Sequence, residues 1–537
     1  MSIGNLRRFF VGGMLGGALA TVILFIGTEL LGLPFPPLAI FQILIAPVPG
    51  SIQSVVVETF REYAKYSAFI FSSVLYAVLY GVIAVFLALL LKGEVHSKAS
   101  IATLVGTIIP SAIGLGLQFQ LANAFSAISS LYGWILALLL TLVVNLIYAR
   151  SVIAYSRIAV AGTKQIPQIT APSPRRGLLK KAAAAGIILA VAAVAAKFGL
   201  SILSKQPVVT SGSSVPINPV TQSTTTSLAV ENTADVFSDP RISDLVNSEV
   251  TENRTFYRVD IDPIPPQLDR TTWKLTIHGK VNNPSTLTLD SLVSLPSVDE
   301  YATLECVSNT INPSGGLISN AKWTGVSLAT LLNQVGTSPD AKYVVFRCGD
   351  GYSVGVPLDR ALLPGAVLAY KMNDQMLPDE HGFPLRAIVP GIYGMMNAKW
   401  ITEIEVTDQV YLGYWQERGW SNDARIKTTS IPYYPPSGAT VQESTPIAGV
   451  AFAGDRGISK VEVSVDGGNT WNEAVLKPPK SPYSWVLWGY RWNPTTSGTV
   501  TILVRAYDGT GQVQDPTDVQ PFPNGGSGYS SIEVTAG

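Results

Sequence analysis

Between Lys65 and Lys92 the chain carries no charged side chain. That single fact narrows the fold sharply. A bilayer core of about 30 Å is crossed by roughly 20 apolar residues in a helix. In lipid every backbone N–H and C=O must be satisfied internally, which leaves helices or closed barrels. The pattern recurs. Five segments read as candidate spans: Phe9–Thr28, Tyr66–Leu91, Ile101–Leu117, Leu131–Tyr148 and Ala182–Leu203. Pro110 and several glycines interrupt the third, yet no charge occurs from Ile101 to Asn145. Lys197 lies in the fifth, where a lysine can snorkel to the far interface. The alternative is a buried helical core, but soluble core helices rarely run uncharged for this length.

Basic residues orient these spans by the positive-inside rule. Arg7 and Arg8 precede the first span, and Lys92 and Lys98 follow the second. Seven more, from Arg150 to Lys181, lie between the fourth and fifth with no acidic residue among them. With five spans, all three clusters fall on one side. The amino terminus is then cytoplasmic, and everything after residue 203 is extracytoplasmic. The run Ser173-Pro174-Arg175-Arg176-Gly177-Leu178-Leu179-Lys180-Lys181 resembles a twin-arginine export signal, which passes a folded domain through the membrane. An ordinary basic flank is the alternative.

Past the last span the composition changes. Residues 204–250 are rich in Ser, Thr, Val and Pro and read as an extended linker. From about 251 short β-like runs alternate with Gly and Pro: Trp273–His278, Tyr343–Cys348 and Ile401–Val406. Leu328–Gln334 reads as a short helix with Ser327 as N-cap. This mixture predicts an α+β domain over 251–431. In 432–537, Val461–Val465 and Val500–Ala506 alternate, and Asp466-Gly467-Gly468 supplies a hairpin turn, which predicts a β-sandwich. Formal net charge is zero, so nothing marks a nucleic-acid binder. Two cysteines and three histidines are too few for a disulfide scaffold or a zinc cluster.

One of those cysteines stands in Leu304-Glu305-Cys306-Val307-Ser308-Asn309. Further on come His381-Gly382-Phe383-Pro384-Leu385-Arg386, then Pro390-Gly391-Ile392-Tyr393-Gly394 and Lys399-Trp400. A soft thiolate can bind a metal, and His, Arg and glycine-turn amides can hold an anionic tail. Taken alone, Cys306 reads better as a buried structural thiol, or as half of a disulfide to Cys348, than as a ligand.

These pieces, with Phe256-Tyr257-Arg258, Trp273–Gly279, Trp323-Thr324-Gly325-Val326 and Asp350-Gly351-Tyr352, occur in an order that resembles the molybdopterin-binding domain of the sulfite oxidase superfamily, in its membrane-anchored prokaryotic form. The tail, with Asp466-Gly467-Gly468-Asn469-Thr470-Trp471, resembles that superfamily's immunoglobulin-like domain. The resemblance covers roughly residues 250–537. It implies a molybdenum-molybdopterin cofactor with Cys306 as the metal's protein ligand. It implies that His381 and Arg386 contact the pterin phosphate, and that Gly391, Gly394 and Lys399 lie in the cofactor turn. Tyr257, Ser308 and Asn309 fall in the matching cofactor segments. Arg258 is expected in the catalytic site, facing substrate or cofactor, with packing at the core edge as the alternative.

The departures bear on substrate. Relatives carry a basic pair after the cysteine motif; here Asn309-Thr310-Ile311-Asn312-Pro313 is uncharged. Trp420 stands where they place a tyrosine after Tyr414-Trp415-Gln416. A desolvated anion needs paired donors. Sulfite is therefore in doubt, and a neutral oxide such as a sulfoxide stays open. The expected reaction is two-electron oxygen-atom transfer on a sulfoxide, sulfite or similar small oxide. The expected partners are a small-molecule substrate, membrane lipid, a second copy of the chain, and a separate electron carrier such as a cytochrome or quinone enzyme. The competing readings are a cofactor-free binding module on the same fold and the outer domain of a membrane transporter or sensor.

Overall fold

The uncharged runs fold as helices. The computed structural model describes residues 3–31, 33–45, 48, 52–53, 64–92, 94–95, 97–120, 131–161 and 233–537, less 262–263, 312–315, 443 and 496. The described residues fall into two compact units. The first holds those up to Ile45, those from Lys65 to Ala161, and 264–267. The second holds Val48, Ile52, Gln53, Ala64 and the rest of the described chain from 233 onward.

The first unit consists of α1 (Ile3–Leu31), α2 (Pro36–Ile45), α3 (Ala64–Leu90), α4 (Ala99–Gln120) and α5 (Leu131–Ala161). Four of them are long and apolar enough to cross a membrane, over Asn5–Thr28, Ser67–Leu90, Ala99–Phe119 and Tyr132–Tyr155. They coincide with the first four expected spans. The fifth, Ala182–Leu203, and the twin-arginine run lie outside the described residues. The short α2 was not expected, because ten apolar residues fall well below span length. Pro36 and Pro37 suit its first turn, where the N–H groups have no intrahelical partner.

Glycine sets how closely these helices approach. A Cβ at Gly13 of α1 would lie 2.5 Å from Ala84 Cβ of α3, and one at Gly16 would lie 2.7 Å from Ser151 Oγ of α5. Where lipid is as apolar as leucine, such close packing and interhelical hydrogen bonds replace the hydrophobic drive. Here Tyr80 donates to Asn145 Oδ1 at 2.6 Å, and Asn145 Nδ2 donates to Ser111 Oγ at 3.1 Å, joining α3, α5 and α4. Large apolar side chains such as Ile70, Phe86 and Leu104 point outward instead.

The α+β part of the second unit carries two sheets. Their strands are β1 (Lys274–Gly279), β2 (Ser285–Thr288), β3 (Ser297–Glu305), β4 (Ile318–Ser327), β5 (Tyr343–Cys348), β6 (Ser353–Pro357), β7 (Val367–Met372), β8 (Gln375–Met376), β9 (Arg386–Ile388) and β10 (Ile401–Thr407). One sheet runs β2-β1-β10-β5-β6, with β1 and β10 parallel. The other runs β3-β4-β7-β8, with β9 paired to β7. Helix α6 (Leu328–Val335) buries Leu328, Leu331, Leu332 and Val335 in a core shared with Leu275, Phe346, Leu368 and Ile404. Ser327 caps it by accepting from Thr330 N, and Gly336 ends it at φ +67°.

Two further sheets follow. Strands β11 (Thr429–Tyr434), β13 (Thr445–Phe452), β17 (Val486–Trp492) and β16 (Val475–Leu476) form one. Strands β12 (Thr440–Val441), β19 (Ser530–Ala536), β18 (Gly498–Asp508), β14 (Ile458–Ser464) and β15 (Asn472–Glu473) form the other. Inward residues of both, among them Ile447, Trp488, Val461, Val463, Val504 and Ile532, make one core. At the expected turn Gly467 and Gly468 take positive φ, and Asp466 Oδ1 accepts from Thr470 N at 2.9 Å.

One expectation needs correction. The linker assigned to 204–250 does not extend over 233–247, which forms helical turns at Thr233–Ser238, Pro240–Ile242 and Ser243–Asn247. Val236 and Ile242 are buried, and Val236 packs on Gly489 of β17. Asp239 is the anchor. It accepts from Arg241 and, at 2.6 Å, from Arg491 NH1, and these partners hold its carboxyl well below the usual range. Composition averaged over the stretch hides the few residues that dock it.

Candidate active site

Cys306 follows the last paired residue of β3, Glu305, which faces Ile318 of β4. There the chain turns back: Cys306 N donates to Leu317 O at 2.9 Å, and Asn309 N donates to Cys306 O at 2.9 Å. This tight turn turns the thiol into a cleft enclosing about 710 Å³, part of it open to solvent. Cys306 is only 6% exposed, and its Sγ lies 3.0 Å from Ser308 Oγ. Burial pushes the thiol above its ordinary pKa. Cys306 and Cys348 are both free thiols, so no disulfide joins them. Cys348 packs in the core beside Phe346 and Trp273.

On the facing side a helical turn, Asp379–His381, ends at Gly382 with φ +112°. A Cβ there would press on Lys399 and Arg386, so glycine lets three basic side chains converge. His381 Nε2 lies 2.5 Å from Asn253 O, an acceptor with no hydrogen to give, so Nε2 carries the proton. Burial, helped by Lys399 and Arg386, lowers the ring's pKa to about 3 and keeps it neutral. Nδ1 is then an acceptor.

Arg386, in β9, donates from NH1 to His381 O at 3.0 Å, and its guanidinium lies 4.7 Å from the Trp323 ring centroid. Its Nε is buried with no hydrogen-bond partner among the described residues. Burial lowers its pKa to about 10. Lys399 pairs with Asp260 and donates to Glu380 O at 3.2 Å. Arg258 NH1 lies 3.7 Å from Glu380 Oε1. Tyr257 rests against Gly394, where a Cβ would lie 2.2 Å from its hydroxyl. Burial raises that phenol well above its usual pKa. A buried cationic group with an unused donor is costly unless an anion arrives to meet it. The cleft therefore pairs a soft thiol with a partly unsatisfied guanidinium, a set suited to a group that is metal at one end and anion at the other.

The structure brings together Tyr257, Arg258, Cys306, Ser308, His381, Arg386, Gly394 and Lys399, all lining this cleft. Two residues expected to touch a cofactor do not line it. Asn309 Nδ2 donates to Glu305 Oε1 at 2.9 Å and its Oδ1 accepts from Leu317 N at 3.3 Å, so its amide braces the Cys306 turn. The carboxyl it meets is buried, and desolvation raises the Glu305 pKa to about 7. Gly391, with φ +84°, leaves room for Asp455, whose carboxyl carbon would lie 2.6 Å from an added Cβ. It serves a turn, and its O accepts from Ile426 N. Sequence reasoning passed over Gln53, Met395 and Asn397, which also line the cleft. Met395 had a signal in its place between Gly394 and Lys399, and so did Asn397. Its Oδ1 accepts from Val389 N at 2.6 Å and so braces that loop.

With this geometry in place, comparison with known proteins is specific. A family model described as "Oxidoreductase molybdopterin binding domain" matches residues 262–415, and one described as "Mo-co oxidoreductase dimerisation domain" matches 424–521. Sulfite oxidase of Arabidopsis thaliana is 31% identical over 346 residues, which cover 53% of this chain and 87% of that protein. Mitochondrial sulfite oxidase of Rattus norvegicus is 31% identical over 327 residues, and the chain spans 60% of its length. A protein of Azospira oryzae, named as a protein-methionine-sulfoxide reductase subunit, is 34% identical over 155 residues, 29% of this chain and 56% of that protein.

Proposed function

The chain belongs to the sulfite oxidase family of molybdopterin oxidoreductases, and we propose that it is a membrane-anchored extracytoplasmic enzyme that transfers an oxygen atom to or from a small sulfur oxide. The observation that carries this reading is the buried Cys306 thiol sharing a cleft with Arg386, whose Nε is buried without a partner. The residues present fit the cofactor: a soft thiolate for molybdenum and a planar cationic fork for the pterin phosphate. When bound, molybdopterin supplies two-electron oxygen-atom transfer. Cys306 would hold the metal. Arg386 and Lys399 would meet the anionic tail, while His381, neutral, would accept a hydrogen bond at Nδ1. Tyr257, Ser308 and Gly394 would line the cofactor, and Arg258 would orient substrate or cofactor.

A sulfoxide is the favoured substrate. Trp415, Trp420 and Met395 give the cleft an apolar, polarizable wall that suits a thioether product. No basic pair follows the cysteine motif, and the Azospira relative carries the name of a sulfoxide reductase subunit. The two carboxy-terminal sheets are read as an immunoglobulin-like domain, and the match to a dimerisation domain supports a homodimer. Electrons would come from a separate cytochrome or quinone enzyme, since the chain has only His96, His278 and His381. Four long apolar helices support anchoring in lipid, and the extracytoplasmic reading of the catalytic domain rests on the basic residues that flank the spans.

The test is direct. The full chain is purified from a molybdenum-replete host and assayed for metal, then for turnover of sulfite, sulfoxides and N-oxides with dye donors or acceptors. Stoichiometric molybdenum and sulfoxide reduction are expected. An intact chain without molybdenum would refute the enzyme and leave the cofactor-free binding module.

A further inference from the structure

One loop of the carboxy-terminal sheets meets three separate segments of the cleft wall. Residues 519–527 lie between β18 and β19, and Val519 and Ser527 exchange backbone hydrogen bonds of 3.1 and 3.2 Å that close the loop on itself. Within it Gly525 N donates to Pro521 O at 2.7 Å. The match to the dimerisation domain ends at 521, so it does not account for residues 522–526.

The first contact is to Trp420, which lines the cleft and is 6% exposed. Phe522 packs edge-on against it, with ring centroids 5.1 Å apart at 78°, and Ser421 N donates to Pro523 O at 3.1 Å. The second is to Tyr393, which directly precedes Gly394 and Met395 of the wall. Gly525, at φ +84°, makes room for it, because an added Cβ would lie 2.2 Å from the Tyr393 hydroxyl. Lys427 ties these two together: its N donates to that hydroxyl at 3.3 Å and its Nζ to Gly525 O at 2.7 Å. The third is to the turn beyond Ser308, where a Cβ at Gly526 would lie 3.2 Å from Asn309 O. Val307, next to Cys306, shares one apolar core with Tyr393 and Trp420, and Phe522 packs against that core. Close-packed side chains transmit displacement rather than absorb it, and an edge-to-face pair fixes the orientation of both rings. The position of Trp420 therefore depends on the ring behind it.

Building on the sulfoxide reading above, we infer that Phe522 is a positioning residue, which through Trp420 sets the apolar wall against which a sulfoxide binds. The experiment uses the full chain with Phe522→Ala and the ring-retaining Phe522→Tyr. In the loaded enzyme, Phe522→Ala raises KM for dimethyl sulfoxide about threefold to tenfold, as for one lost aromatic pair, while molybdenum content and kcat change by less than about twofold. Phe522→Tyr restores the wild-type KM. In cofactor-free protein, Cys306 is labelled with N-ethylmaleimide and read by peptide mass spectrometry, with Cys348 as internal reference. Phe522→Ala speeds labelling of Cys306 several-fold relative to Cys348, and Phe522→Tyr does not. A lower melting temperature with unchanged KM shows a structural role only and overturns the proposal. So does equal acceleration at Cys306 and Cys348, which marks general loosening of the unit. A wild-type chain without molybdenum or without sulfoxide turnover refutes the function reading instead. The labelling ratio then decides alone, and an unchanged ratio overturns the positioning role of Phe522.

Discussion

His381 makes acid sensitivity a property of the Cys306 cleft. Its ring is held neutral in the folded chain, with a pKa near 3 against an ordinary 6.5. The unfolded chain therefore binds a proton first. Stability from this group is complete above pH 6.5, falls as pH drops through the window from 6.5 to 3, and is fully lost below it. Integrated to pH 4.5, the loss is about 2.7 kcal/mol. For a unit of this size that is roughly 5 °C in melting temperature. The control is His381→Gln, whose amide can donate to Asn253 O as Nε2 does but cannot titrate. Melting of cofactor-free protein in detergent, followed by tryptophan fluorescence at pH 7 and 4.5, should show the wild type losing about 5 °C more than the variant. Equal losses in the two proteins would refute the assignment of a buried neutral imidazole.

Three further outcomes are expected. Cys306→Ser should lose molybdenum and at least about 100-fold in turnover, while melting shifts by no more than about 1–2 °C, because the change is nearly isosteric. Metal analysis beside calorimetry checks both. Arg386→Met should keep or raise the stability of cofactor-free protein, since it removes a buried cation with an unused Nε, yet reduce cofactor retention about tenfold or more on gel filtration. In the first unit, Gly13→Leu should push α1 from α3, because a Cβ already meets Ala84 Cβ at 2.5 Å and Tyr80 O at 2.7 Å. A lower melting temperature in detergent, absent from Gly116→Leu, where nothing lies within 4 Å, separates close packing from helix propensity.

Much of the architecture was legible because its causes are local. The thickness of lipid forces long uncharged helices, and four appear where their runs predict them. Alternation and a Gly-Gly turn predict strands such as Ile458–Ser464, and a serine before an apolar helical face predicts the start of Leu328–Val335. The ordered motifs around Cys306, His381 and Arg386 identified the family, because one cofactor must meet all of them. Contacts across the chain were not legible. Asn309 and Cys306 are three residues apart, yet only the fold turns one into the cleft and ties the other to Glu305 and Leu317. The proton on His381 is decided by the carbonyl of Asn253, 128 positions away. Gln53 carries no motif and lines the cleft only through tertiary structure. The sequence alone determined the long helices, the strands that alternate and the ordered motifs of the family, since periodicity and composition act over a few turns of chain. Tertiary structure alone decided which polar groups are buried, what they bond to and which are left unpaired, since those depend on neighbours that are distant in sequence.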